Sequence, residues 1–253
     1  MEIYVMPICK FCGQDKELCN AHIIPKSFVY AAKPEDKTEK LKVLNYNLKY
    51  PSFSRIGITD RNILCSQCDG EFGVYDNFAY NFLIKTNISQ YLTAIEGVNV
   101  YDIPLKDKEA ELLALFFISV LYRMSISQCD MCRNLSLGSK YENLAKDILQ
   151  KKINWENKGF DIYIFKEISS DKDFNEKINY AITYPLISKT DGINHYSFIL
   201  NGYRCVIKVD QRSFPDMLDQ LKLTNKRIKI TEITFEKTND FVALQKLALH
   251  FKK

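Results

Sequence analysis

Two Cys-x-x-Cys pairs, Cys9-Lys10-Phe11-Cys12 and Cys65-Ser66-Gln67-Cys68, decide the fold of the first part of the chain. A Cys-x-x-Cys turn places two thiolates on one side of a tight loop, and two such turns supply the four sulfur ligands of a tetrahedral zinc site. Redox dithiols, the main competing interpretation, usually need one pair at the start of a helix. The sequence therefore predicts structural zinc bound by Cys9, Cys12, Cys65 and Cys68.

The other four cysteines do not complete a second set of this kind. Cys129 and Cys132 form a third Cys-x-x-Cys pair, but no fourth pair is present to complete its ligand shell. Cys19 and Cys205 are interpreted as ordinary buried thiols. Because this arrangement indicates metal binding and not a disulfide framework, we expect a reducing, cytoplasmic environment.

His22 lies between the two pairs, in the run Ala21-His22-Ile23-Ile24-Pro25, ten residues after Cys12. That distance is short enough for the imidazole to fold back beside the cysteine cluster. A structural metal next to one positioned imidazole indicates an active site braced by zinc.

The runs Ala21–Ser27 and Arg61–Asp69 resemble the motifs of the HNH, or ββα-metal, endonucleases, in the branch with a four-cysteine structural zinc. The resemblance covers residues 8–83, about one third of the chain. It implies a ββα-metal unit that hydrolyses phosphodiester bonds in DNA with the help of one divalent cation.

The same resemblance implies roles for individual residues. His22 matches the general base that takes a proton from the attacking water. Asn62 matches the central asparagine, whose side chain holds the loop that orients the histidine. Asp69 matches the last motif position, which binds the catalytic cation, and an oxygen ligand suits Mg²⁺ or Mn²⁺. Ala21 stands where the family usually has its first metal ligand. If the only change there is the loss of that ligand, an Ala21→Asp variant is expected to keep or raise activity.

Two acidic residues after the second cysteine pair offer a further oxygen ligand, Glu71 and Asp76. Acidic residues near a helix start are also favourable beside the positive end of the helix dipole. We favour the dipole interpretation for Glu71, and Asp76 is kept as a candidate ligand of the catalytic cation.

Residues 40–61 are an insertion relative to the family and are rich in basic residues. The candidate nucleic-acid contacts are Lys42, Lys49, Arg55 and Arg61, interleaved with Tyr46, Tyr50 and Phe53. Basic groups neutralise phosphates, and aromatic rings stack on exposed bases. The alternative is a solvated hairpin whose aromatic side chains face the core. Overall charge does not decide between them, because 35 Lys and Arg against 31 Asp and Glu give a net charge of +4.

Periodicity predicts helices followed by strands in the remainder of the chain. Apolar residues at helical spacing predict a helix from Val74 onward and two more over 107–124 and 139–151. A turn is predicted at 102–104. Arg123 is expected to serve as a cap or dipole partner at the end of the second of these helices. Alternation predicts strands over 161–168, 178–186, 196–200, 203–209 and 227–235, with a hairpin turn at Asn201–Gly202. Helices are predicted near 213–223 and over 239–251.

The predicted fold class is α+β, with an N-terminal zinc-braced ββα-metal motif, central helices and a C-terminal antiparallel sheet with helices. The corresponding domains are an HNH-like domain over 1–100, a helical segment over 101–153 and an α+β domain of unassigned role over 154–253. No segment reaches the roughly 18 consecutive apolar residues of a membrane span, and the first residues do not form a secretory signal.

Two functions of different classes follow from these features. The first is a metal-dependent HNH-type endonuclease acting on DNA, in bacterial antiviral defence or restriction. The second is a non-catalytic zinc-binding module that binds nucleic acid or a protein partner. The protein partners considered are a second copy of the chain and a protein of a defence system.

Overall fold

The computed structural model describes residues 6–33, 38–44, 49–95, 97–156 and 158–250. The helices are α1 Lys26–Ala31, α2 Ser66–Tyr80, α3 Asp107–Ile126, α4 Gly138–Leu149, α5 Lys172–Ile178, α6 Asp216–Asp219 and α7 Asn239–His250. The strands are β1 Ala21–His22, β2 Leu41–Val43, β3 Ser52–Ser54, β4 Thr59–Asp60, β5 Leu92–Ile95, β6 Val98–Pro104, β7 Phe160–Ile168, β8 Leu186–Thr190, β9 Ile193–Leu200, β10 Tyr203–Val209 and β11 Arg227–Thr234. Helices and a large sheet together confirm the α+β class.

The short strands β1 and β4 form the antiparallel pair that carries His22. Ala21 lies opposite Asp60 and His22 opposite Thr59. Helix α2 begins directly after Cys65 and packs against α3. The order of two strands followed by a helix is the one that the sequence predicts. Between these strands, β2 and β3 pair as a separate two-stranded ribbon.

The remaining strands form one seven-stranded sheet in the order β5-β6-β11-β7-β10-β9-β8. All neighbouring pairs in it are antiparallel except β11 and β7, which run parallel. The prediction of an antiparallel sheet is therefore wrong at this pair. Alternation of apolar residues predicts strands but not their direction, and the long connection from β7 to β11 permits a parallel return.

Local predictions hold best where the sequence carries a specific signal. Strand β10 has its predicted bounds, and α3, α4 and α7 agree with prediction to within two residues. The Asn201–Gly202 turn is confirmed, since both residues have the positive φ that a type I′ hairpin requires, +50° and +84°.

Three predicted elements differ from the structure. Residues 102–104, predicted as a turn, end strand β6. The predicted strand over 178–186 is wrong, because helix α5 ends at Ile178 and the next strand, β8, begins only at Leu186. The start of α5 is capped by the Asp171 carboxylate, which accepts a hydrogen bond from the N–H of Phe174 at 3.1 Å. The predicted helix near 213–223 is reduced to the single turn of α6.

Helix α3 is the centre of the hydrophobic core. It is buried on nearly every side and packs against α2, α4 and β7. A continuous cluster of buried apolar residues extends through it from Phe11 to Ile230. Strands β5 and β6 come from residues 92–104, and the other strands of the same sheet come from residues 160–234. The sheet thus crosses the boundaries of the predicted domains, and the division into three domains stays a prediction. Among the described helices, none combines the length and the apolar character that crossing a bilayer requires.

Candidate functional site

The four cysteines of the two N-terminal pairs converge on one point, and their Sγ atoms all lie within 4.8 Å of one another. A tetrahedral zinc ion with Zn–S bonds of about 2.3 Å needs sulfur atoms about 3.8 Å apart, so the donor set fits. The Sγ atoms of Cys65 and Cys68 are 3.4 Å apart. The cluster can hold a metal ion such as zinc. No other group of three or more His, Cys, Asp or Glu residues converges in this way within the described part of the chain.

Backbone N–H groups surround the first thiol of this cluster. The N–H of Cys65 donates to Sγ of Cys9 at 3.3 Å, which links the second cysteine turn to the first. Burial works to raise the pKa of the Cys9 thiol, but N–H groups of Cys12 and Cys65 bring it down to about 7. A low pKa favours the thiolate, which is the form that binds metal.

The first cysteine turn is fastened to the central helices through its carbonyl groups. The Lys10 carbonyl accepts hydrogen bonds from the Tyr122 hydroxyl at 3.1 Å and from Nζ of Lys146 at 3.4 Å. The Phe11 carbonyl accepts one from Nε2 of Gln150 at 3.1 Å. The cysteine cluster is therefore part of the main core and not an appended module.

His22 is half-buried on β1, with Nε2 buried and without a hydrogen-bond partner among the described residues. Burial lowers the pKa of His22, and the nearby Asp69 carboxylate opposes this effect only in part. The lowered pKa favours the neutral imidazole. Seven other buried side-chain atoms also lack a partner among the described residues, so this property alone does not distinguish His22.

Arg123 holds the strand that carries this histidine. Its guanidinium makes a two-point ion pair with Asp76, with Nη2–Oδ1 at 2.7 Å and Nη1–Oδ2 at 3.0 Å, and Nη1 also donates to the His22 carbonyl at 3.0 Å. The side chain is 1 % exposed. Arg123 lies in the last turn of α3, as predicted for a dipole partner, and its Nε donates to the Ser119 carbonyl of the same helix at 3.3 Å. The prediction is incomplete, because the side chain also joins α3 to α2 and β1.

The two acidic candidates on α2 differ in their availability. Asp69 and Asp76 lie two turns apart and so share one face of the helix. Both oxygens of Asp76 are bonded to Arg123, whereas the carboxylate of Asp69 makes no ion pair or side-chain hydrogen bond with the described residues. Glu71, by contrast, is exposed. Asp69 is thus the acidic residue beside His22 that remains available to a cation.

The loop after β4 is held by Asp60, a residue that sequence reasoning missed. Its Oδ1 accepts the N–H of Asn62 at 2.8 Å, and its Oδ2 accepts the Ser127 hydroxyl at 2.6 Å and the N–H of Gln128 at 3.1 Å. Burial works to raise the pKa of Asp60, but these donors lower it below its ordinary value. Asn62 is exposed, and the role implied for its side chain stays a prediction.

Ala21 lies in the core and not in the site. It is fully buried, and its side chain faces away from that of His22 because successive side chains of a strand point to opposite faces. An acidic residue there would face apolar neighbours and not a cation. This burial reverses the expectation that Ala21→Asp keeps or raises activity.

The basic candidates of the insertion lie at the surface. Lys42, Lys49, Arg55 and Arg61 are all exposed. Phe53 lies opposite Lys42 in the ribbon and is 62 % exposed, and Tyr50 is 71 % exposed beside Lys49, whose Nζ is 5.5 Å from the ring centre. The alternative in which the aromatic side chains face the core is therefore wrong for these two rings. Tyr46 lies outside the described residues.

Comparison with known proteins gives no assignment. A scan against protein-family models and searches of curated proteins and of solved structures return no match to this chain. Functional inference therefore rests on the site itself.

We expect Cys65→Ser to lose bound zinc and to destabilise the fold by about 4 kcal/mol or more, because loss of a structural metal removes the link between the two cysteine turns. Elemental analysis of the purified protein and chemical unfolding measure the two effects. Cys19→Ser is the matched control, since Cys19 is a neighbouring half-buried cysteine outside the cluster. Equal zinc content in both variants would contradict the assignment of the cluster.

We expect Ala21→Asp to destabilise the protein by about 3 kcal/mol, because a carboxylate would be buried without a partner opposite Asp60. Ala94→Asp, at an exposed position of edge strand β5, is the control and should cost less than about 1 kcal/mol. Denaturant midpoints compare the two. An Ala21→Asp variant as stable as the control would show that the residue faces an open, polar site.

Proposed function

We propose that this chain is a metal-dependent endonuclease that hydrolyses phosphodiester bonds in DNA, as its resemblance to HNH endonucleases implies. The observation that carries the proposal is the half-buried imidazole of His22, which interacts electrostatically with the carboxylate of Asp69, the residue directly after Cys68 of the cysteine cluster. A neutral imidazole with a free ring nitrogen is the group that general-base catalysis at neutral pH requires.

His22 would act on a water molecule. The imidazole accepts a proton as the water oxygen attacks phosphorus, the opposite P–O bond breaks, and the departing sugar oxygen takes up a proton from solvent. The neutral form of the half-buried ring is favoured in the resting state because burial lowers its pKa. Arg123 supports this step as a positioning residue, since its hydrogen bond to the His22 carbonyl fixes the strand. A guanidinium that is 1 % exposed does not itself reach a phosphate.

The carboxylate of Asp69 suits a cation that takes most of its ligands from substrate and water. Mg²⁺ commonly binds through one or two carboxylates together with phosphate oxygens and several waters. Asp69 is the residue that we propose to hold Mg²⁺ or Mn²⁺, whereas Asp76 is committed to Arg123. When bound, such a cation polarises the phosphate and stabilises the charge that develops on its oxygens.

The β2–β3 ribbon supplies a surface of the right chemistry for DNA. Its exposed lysines meet phosphates, and the exposed rings of Tyr50 and Phe53 offer stacking faces for bases. Arg55 follows β3 and Arg61 follows β4, which extends the positive charge towards the strand pair of His22. This distribution supports nucleic acid as the substrate class even though the net charge is small.

A second candidate function is a zinc-braced module that binds nucleic acid or a protein partner without cutting. It is favoured by the burial of Ala21 and the engagement of Asp76, which leave Asp69 as the available carboxylate beside His22 within the described residues. A role in bacterial defence or restriction, a second copy of the chain and a defence-system protein as partners remain part of the proposal through the resemblance alone.

We expect His22→Ala to reduce Mg²⁺- or Mn²⁺-dependent cleavage of plasmid DNA by at least about 100-fold, because a general base contributes that much or more. DNA affinity and zinc content should not change. In the wild type, the rate should fall with decreasing pH only below the ordinary histidine pKa of about 6.5, since burial lowers the pKa of His22 and the neutral form is active.

His195→Ala is the matched control, because His195 is a half-buried histidine on β9 whose pKa is also lowered by burial. Its cleavage rate should equal that of the wild type. Asp69→Ala should lose cleavage as well, but through weaker binding of the cation, so excess Mn²⁺ should restore part of the rate. Full cleavage by His22→Ala would refute the proposed base, and DNA binding without cleavage by the wild type would select the second function.

We expect replacement of Lys42, Lys49 and Arg55 by Ala to weaken DNA binding and to reduce its salt dependence, by about one unit of the log–log slope for each phosphate that the variant no longer neutralises. Titrations at several salt concentrations measure both quantities. Replacing Lys172, Lys189 and Lys237, which are exposed elsewhere, removes the same charge and should leave the slope unchanged. Equal salt-dependence slopes in the two triple variants would show that the DNA-binding surface lies outside the ribbon.

A further inference from the structure

A second pair of cysteines lies in a tight turn after α3. The N–H of Cys132 donates to the Cys129 carbonyl at 2.9 Å, which closes a turn of four residues. Such a turn keeps its first and last Cα atoms within about 7 Å, and a disulfide spans about 4.4–6.8 Å between Cα atoms. A disulfide between Cys129 and Cys132 therefore needs little movement of the backbone.

The two thiols have different access to solvent and different acidity. Cys129 is half-buried, whereas Cys132 is almost completely buried. The neighbouring Cys132 thiol lowers the pKa of Cys129 to about 6 against the opposing effect of burial. The Cys129 thiol and burial raise the pKa of Cys132. This division into an accessible thiolate and a buried thiol is typical of a reactive cysteine and its resolving partner.

The other described cysteines lack this combination. Four of them form the cluster that can hold metal, Cys205 is fully buried, and burial raises the pKa of Cys19 to about 11. Cys129 is thus the cysteine outside the metal cluster that is both accessible and easily deprotonated.

We propose that Cys129 and Cys132 form a reversible dithiol–disulfide pair that is oxidised by peroxides, with Cys129 reacting first and Cys132 resolving. The Cys129 thiolate attacks one oxygen of hydrogen peroxide, the O–O bond breaks, and the departing hydroxide takes up a proton, which leaves a sulfenic acid on Sγ. The Cys132 sulfur then loses its proton and attacks Sγ of Cys129, and the S–O bond breaks to release a second water. Two thiols are oxidised and one peroxide is reduced to two waters.

The turn is connected to the candidate active site through hydrogen bonds. Ser127 accepts the N–H of Cys129 at 3.2 Å and donates to Asp60 at 2.6 Å, and the N–H of Gln128 donates to the same carboxylate. Asp60 lies opposite Ala21, in the strand pair that carries His22. The turn is therefore hydrogen-bonded to the strand pair of His22, but the formation of the disulfide does not depend on the proposed function.

The test is to treat the zinc-loaded full chain with stoichiometric hydrogen peroxide at pH 7 and to map its cysteine peptides by mass spectrometry. The expected result is loss of two hydrogen atoms from the peptide with Cys129 and Cys132, reversal by a dithiol reductant and unchanged zinc content. In the untreated protein, iodoacetamide should alkylate Cys129 at least about tenfold faster than Cys19, since the thiolate is the nucleophile.

Two variants separate the roles of the cysteines. Cys132→Ser should leave a sulfenic acid on Cys129 that dimedone traps, and Cys129→Ser should give no adduct at Cys132. Cys205→Ser is the control and should form the disulfide as the wild type does. Oxidation of Cys19 or of the metal cluster before Cys129 would overturn the proposal, as would a Cys132→Ser variant without a dimedone adduct. If a variant does not fold, the wild-type peptide map alone decides.

Discussion

The ion pair between Arg123 and Asp76 is the interaction on which the candidate site depends. It joins α3, α2 and β1, and the same guanidinium holds the His22 carbonyl. A buried ion pair adds little net stability, but removal of one partner costs about 3–5 kcal/mol because a charge is left uncompensated. Separation of β1 from α2 and α3 would break these contacts and cost free energy. The pair thus keeps the imidazole of His22 beside Asp69.

The cysteine cluster constrains the same region from its other side. Cys9 and Cys65 are 56 residues apart in sequence, and the N–H···S bond between them closes a segment that contains β1, α1, the β2–β3 ribbon and β4. The base of this segment is fixed by the cluster and by its contacts with α3 and α4, while the ribbon extends to the surface. The exposed basic and aromatic ribbon can therefore change in sequence to suit a substrate, while the rigid base keeps His22 in place.

Sequence reasoning succeeded where a signal is local. Cysteine spacing predicted the cluster, and alternation with an Asn-Gly turn predicted β10 and its hairpin. It failed where function depends on distant partners, because Arg123 contacts Asp76 and the His22 carbonyl across 47 and 101 residues of sequence. Asp60 was overlooked in favour of Asn62 for the same reason, since its partners Ser127 and Gln128 come from the far end of α3. Composition alone shows neither which acid is buried nor which arginine reaches it.

The position of β11 in the sheet has a consequence for how the protein folds as it is synthesised. This strand lies between β6 and β7, yet it is the last strand of the sheet to leave the ribosome. Until residue 234 is made, β6 and β7 each present an unpaired edge, and such edges can pair with other chains. The nascent chain therefore carries two aggregation-prone edges from the completion of β7 at residue 168 to that of β11 at residue 234, and shielding by a chaperone would matter most in that interval.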